Sequence, residues 1–112
     1  MRKVLIVLSL AAIAVIAFAA TAQAHTLSLR KANAVSAQVA KKDCQKDVYC
    51  TDWGSFKSDC KRASQHRVRC HALTVGTRPD GTQYGCDRPV LVKMKRNFDL
   101  IYVTGNKTCF PI

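Results

Sequence analysis

The chain contains no glutamate: its acidic residues are seven aspartates, set against eighteen lysines and arginines for a formal charge of +11. A glutamate acid or base is thereby excluded, and four of the aspartates, Asp43, Asp47, Asp52 and Asp59, cluster ahead of the strongly alternating segments. Aromatic residues are also scarce, at 7% with a single tryptophan. None interleaves with the basic row of Arg67, Arg69, Lys93 and Lys95, so a platform for stacking nucleic-acid bases is not expected. Glycine and proline are too few and too scattered for a linker, a collagenous repeat or a low-complexity segment.

The one long hydrophobic run lies at the N-terminus. Arg2 and Lys3 precede an uncharged apolar stretch from Val4 to Ala20, and Ala22-Gln23-Ala24 then places small residues at both positions that decide cleavage. This pattern predicts a secretory signal peptide over residues 1–24, leaving a single domain over 25–112. The alternative, an uncleaved membrane anchor, fits the alanine-rich composition and the Ala-Gln-Ala end less well. No cysteine follows the leader to accept a lipid, and Arg2-Lys3 is not a twin-arginine signal. The expected location is secreted or periplasmic, with no stable membrane anchor after cleavage.

In an oxidising compartment the six cysteines read as a disulfide framework. A domain of this length buries only about 60 to 65% of its unfolded surface, so cross-links are expected to contribute to its stability. The most economical pairing joins Cys70 to Cys86 across a hairpin, Cys60 to Cys109, and Cys44 to Cys50. It is one of about fifteen connectivities that six cysteines allow.

Periodicity divides the domain into a helix and strands. Leu29, Ala32, Val35 or Ser36, and Val39 recur at helical spacing between Thr26 and Lys42, with Thr26 or Ser28 as N-cap. Asp43 to Gly54 reads as a polar connection. Alternation then marks strands at Phe56 to Cys60, around Val68 to Ala72, at Cys86 to Lys95 and at Phe98 to Thr104. The intervening turns are Arg62-Ala63-Ser64-Gln65, Arg78-Pro79-Asp80-Gly81 and Arg96-Asn97. The expected fold is α+β, an N-terminal helix packed on a four-stranded antiparallel meander and stabilised by disulfides.

This arrangement resembles the architecture of the cystatins, which implies a secreted inhibitor or protein-interaction module. The glutamine-valine-glycine loop of that family is absent; Gln38-Val39-Ala40-Lys41 lies inside the predicted helix instead. A loop such as Arg78 to Gln83 would then carry any contact with a protein partner.

The candidate site comes from strand parity. Val68, Cys70 and Ala72, with Cys86, Val90, Val92 and Met94, are expected to face the helix, leaving Arg67, Arg69, His71, Asp87, Lys93 and Lys95 outside. Arg67, Arg69 and His71, with Lys93 and Lys95 on a neighbouring strand, are candidate anion-binding residues, because guanidinium forks on a rigid sheet suit phosphates and carboxylates. An ordinary solvated face has the same composition, with Asp87 pairing across to Arg69. The partner implied is an anionic envelope surface or extracellular polymer.

Catalysis is not expected. His66 and His71, five residues apart on one strand, would point to opposite faces and so could not act on one phosphate as a ribonuclease pair, unless a bulge intervened. Cys70 and His71 diverge as sequence neighbours, which leaves no cysteine nucleophile. A cleaved chain would begin at His25, whose α-amine and imidazole resemble the copper-binding histidine brace of secreted oxygenases. That resemblance rests on His25 alone, and no cofactor is assigned.

Overall fold

The computed structural model describes residues 26–112. The expected leader and His25 lie outside the described residues. Helix α1 spans Leu29–Lys46, and its N-cap is Ser28, whose Oγ accepts from the Lys31 amide at 3.1 Å. Its buried stripe is Ala32, Ser36, Val39 and Ala40, with Leu29 and Val35 at the margin. These small side chains let the helix lie close on a sheet.

The helix runs one turn beyond Lys42, where periodicity had suggested its end, because that last turn is anchored from outside. Asp43 receives Arg88 Nε at 2.7 Å, and Cys44 is bonded to Cys50. Ahead of the helix, Leu27 is buried, its amide donates to Gln65 O at 3.0 Å, and its carbonyl accepts from Arg62 at 2.6 Å. The fold is thus engaged by the third residue after the expected cleavage bond.

The antiparallel sheet has six strands rather than the expected four. Two long strands, β3 (Arg67–Thr77) and β4 (Gln83–Met94), pair without irregularity from Arg67 with Lys93 to Thr77 with Gln83. The free side of β3 pairs with β1 (Cys50–Gly54) and β2 (Lys61–Ser64), and that of β4 with β5 (Leu100–Thr104) and β6 (Thr108–Pro111). The sheet is therefore two long strands flanked on each side by two short ones. Every residue of β2 and β6 is exposed, and so are the three central residues of β1. Edge strands of this kind bury no face and leave no alternation to read.

Phe56 to Cys60 is not a strand. Lys57–Asp59 forms a single 3-10 turn, and the chain reverses again at Gln65-His66 rather than across Arg62 to Gln65. After β4, Phe98 takes a left-handed conformation at φ 69°, so β5 starts at Leu100.

Register corrects two of the expected disulfides. Cys70 faces Val90 and Cys86 faces Thr74, which separates the two cysteines by four residues, about 13 Å along the strands. A disulfide needs Cα atoms within about 7 Å. Instead Cys60 pairs with Cys70 at a Cα separation of 4.1 Å, and Cys86 with its register partner Cys109 at 4.0 Å. Cys44 pairs with Cys50, so all six cysteines are bonded. The core between helix and sheet contains Leu27, Val39, Val68, Val90, Val92 and the Cys60–Cys70 bridge.

Candidate anion-binding face

Strand parity holds along the whole of β3 and in the Pro89–Lys93 part of β4, whereas Tyr84, Gly85 and Cys86 are all buried in succession. Val68, Cys70, Ala72, Cys86, Val90 and Val92 are buried beneath the helix, while Arg67, Arg69, His71, Asp87 and Lys93 occupy the opposite face. Lys95 follows the end of β4 and is exposed. Arg67 and Lys93 are direct register partners.

A bulge adds a fifth cation. The β2–β3 register slips between Arg62 and Ser64, which places Lys61 opposite Arg69 on the outward face and turns Arg62 to hold the Leu27 carbonyl. Without the slip, Arg62 would have opposed Arg69. Lys61 is absent from the candidates read from parity because its face depends on this bulge, and one bulge exchanges the two faces of a strand.

The outward face thus has two cross-strand pairs of like charge, Lys61 with Arg69 and Arg67 with Lys93. Directly opposed side chains sit about 5 Å apart at Cβ, where like charges destabilise. Among the described residues the ion pairs are His71–Asp87 and Arg88–Asp43, and neither draws on these four cations or on Lys95. Arg67, Arg69, Lys93 and Lys95 border an open trough of about 670 Å³ that His66 and Ser64 also line.

His71 lies apart from the trough. Its Nδ1 is 2.9 Å from Asp87, and with Arg69, Pro89, Leu91 and Val103 it lines a second hollow of about 420 Å³. The expected Asp87–Arg69 pair does not form, because Asp87 faces Leu73 and Arg69 faces Leu91. His66 sits in the turn and not on the strand, so both histidines line hollows of the outward face, contrary to the expectation of opposite faces. They still do not converge. His66 lines the trough and His71 the separate hollow beside Asp87, so the two do not face one phosphate as acid and base.

Among the described residues no three His, Cys or Asp side chains gather as a metal site. None of the described helices is long and apolar enough to cross a membrane. No family model, no curated protein and no solved structure matches this chain. What the face offers chemically is a fixed group of donors suited to several anionic oxygens at once.

Proposed function

We propose that this chain is a small secreted or periplasmic domain, stapled by disulfides, that acts without turnover by binding anionic envelope or extracellular material. The carrying observation is the pair of opposed like-charge contacts, Lys61 with Arg69 and Arg67 with Lys93. Solubility needs charge, but it does not need equal charges facing each other on neighbouring strands, where a carboxylate would stabilise the sheet. An anion seated between them reverses the sign of that interaction. Bound phosphates or carboxylates would receive charge-assisted hydrogen bonds from residues already held by the sheet.

The test matches net charge and varies location. Reversal of Arg67, Arg69, Lys93 and Lys95 is compared with reversal of Arg30, Lys31, Lys41 and Lys57, all exposed and off the candidate face. Lys42 is left out of the control because it lies against Tyr102. Retention on heparin at rising salt is expected to fall more for the first set, with the gap shrinking as the Debye length drops from about 10 Å at 0.1 M to about 3 Å at 1 M. Equal losses in two folded variants would leave the face an ordinary solvated one.

A second reading, recognition of a protein by the β3–β4 hairpin tip, draws on the order of that loop. Asp80 Oδ1 accepts from the Thr82 amide at 3.0 Å and hydroxyl at 2.7 Å, and these bonds hold its carboxyl below the usual range. Arg78 stacks 4.7 Å from the Tyr84 ring centroid. Little entropy would be lost in docking such a loop. Capture of one discrete protein that is lost on replacing Arg78 to Thr82 by glycine-serine would favour it.

A further inference from the structure

The cationic block is one side of a gradient. Reading across the sheet from β2 to β5, register partners on the outward face run Lys61, Arg69, Leu91, Val103, and the adjacent row runs Arg67, Lys93, Ile101. Charge therefore gives way to aliphatic surface within the width of the sheet. Ile101 and Val103 are 39% and 54% exposed, on an edge strand.

A soluble polyanion would use the first half of this gradient and gain nothing from the second. We infer that the anion is presented by a lipid bilayer, and that this face is an interfacial docking surface for anionic phospholipid. The inference rests on the anion-binding reading and narrows it. Strands are spaced about 4.8 Å apart, so β3 and β5 differ by nearly 10 Å across the sheet. That matches the depth of about 5 to 10 Å to which interfacial apolar faces enter the headgroup and acyl boundary. Tilting the β5 edge inward seats Ile101 and Val103 among acyl chains while Arg67, Arg69 and Lys61 remain at the phosphates, their flexible stems lying along the interface.

Two further observations fit this occupant. The outward positions of β3 and β4 hold one carboxylate, Asp87, and it stands outside both of these rows, hydrogen-bonded to His71 at 2.9 Å. A second copy of the chain is disfavoured, since apposed faces would bring the same cations together.

The experiment compares the chain from residue 25 onward on phosphatidylcholine–phosphatidylglycerol vesicles, on phosphatidylcholine alone and on heparin, in one buffer at about 0.1 M salt. The first variant, Ile101→Thr with Val103→Thr, retains β-branching for the strand. Its expected affinity for mixed vesicles falls about tenfold, with heparin retention reduced less than about twofold. The matched apolar control, Val48→Thr with Phe56→Thr, removes exposed side chains elsewhere and is expected to bind vesicles within about twofold of the parent. Replacing Arg67, Arg69 and Lys93 by serine is expected to weaken vesicle binding about a hundredfold, at roughly fivefold per basic residue.

Unchanged vesicle affinity in the Ile101/Val103 variant would overturn the lipid inference while leaving polyanion binding in place. So would equal binding to phosphatidylcholine alone. Loss of neither vesicle nor heparin binding in the serine variant would overturn both. Circular dichroism and absence of free thiol establish that each variant is folded before its affinity is read.

Discussion

Tyr84 lies over Gly76, its register partner on β3, so closely that a Cβ on the glycine would come within 2.3 Å of the ring. The hydroxyl reaches onward to donate to Asp47, the residue that caps α1. One buried ring therefore joins the far end of the long hairpin to the end of the helix, and the glycine provides the space for it. Gly76→Ala is expected to destabilise by about 2 to 3 kcal/mol, because the ring must move off its hydrogen bond or the strands must part. Gly54, where a Cβ would meet nothing within 4 Å, supplies the control, and Gly54→Ala is expected to stay within about 0.5 kcal/mol of the parent. Urea unfolding measures both, and similar losses for the two would contradict this account of Gly76.

The same contact predicts a pH window. The Tyr84 hydrogen bond holds the Asp47 carboxyl below its ordinary range, and the bond to Asp47 raises the phenol above its own. A carboxylate depressed by folding adds stability above about pH 4, lost as pH falls through the folded value; a phenol raised by folding adds stability below about pH 10, lost as pH climbs. The stability difference between the parent and Tyr84→Phe should therefore be greatest from about pH 5 to 9 and shrink on both sides. A difference independent of pH would mean that the ring acts through packing alone.

How far the sequence discloses this fold depends on which strands bury a face. Alternation is complete in β3 and clear in the second half of β4, since Val68, Cys70, Ala72, Val90 and Val92 are all buried with exposed or half-buried neighbours between them, and the assignment of faces follows. The short edge strands leave no such trace. Cys50–Gly54 looks like a polar loop because it pairs on the open side of β3 through its backbone and the Thr51 hydroxyl, with its three central residues exposed. The anion-binding candidates on β3 and β4 were legible for the same reason as the core, by parity. Lys61 was not, because its face depends on a bulge, and Ile101 and Val103 stand out only once register places them beside Lys93 and Leu91.

Ser36 offers a test of how tightly α1 seats on the sheet. It is fully buried, and its hydroxyl has no hydrogen-bond partner. A buried polar group without a partner costs about 1 to 3 kcal/mol, and alanine is also the better helix former. Ser36→Ala is accordingly expected to stabilise by about 1 to 2 kcal/mol, with the unfolding slope unchanged. Destabilisation would show that the hydroxyl is satisfied, for example by a water molecule.

The disulfide framework yields a connectivity test that needs no mutation. Trypsin cuts poorly before proline, so Arg78-Pro79 and Arg88-Pro89 leave Cys70 and Cys86 on one long peptide running to Lys93, while Cys60 and Cys109 fall on two short ones. With Cys60 bonded to Cys70 and Cys86 to Cys109, all three peptides travel as one species until reduced. With Cys70 bonded to Cys86, the two short peptides would travel together and the long one alone. A single three-peptide mass is the expected result. Stability should then rank the bridges by two effects acting together. Chain entropy favours Cys86–Cys109, which spans 23 residues, over Cys44–Cys50, which spans 6, at about 3.4 against about 2.2 kcal/mol. Cys60–Cys70 spans only 10 residues, about 2.7 kcal/mol by the same relation, yet both of its cysteines are buried in the core. Replacing that pair by alanine also leaves a void, which adds about 1 to 2 kcal/mol and makes it the costliest of the three to remove. If the Cys86/Cys109 double alanine variant unfolds first in urea, loop length outweighs burial and the core beneath α1 closes over the missing sulfurs.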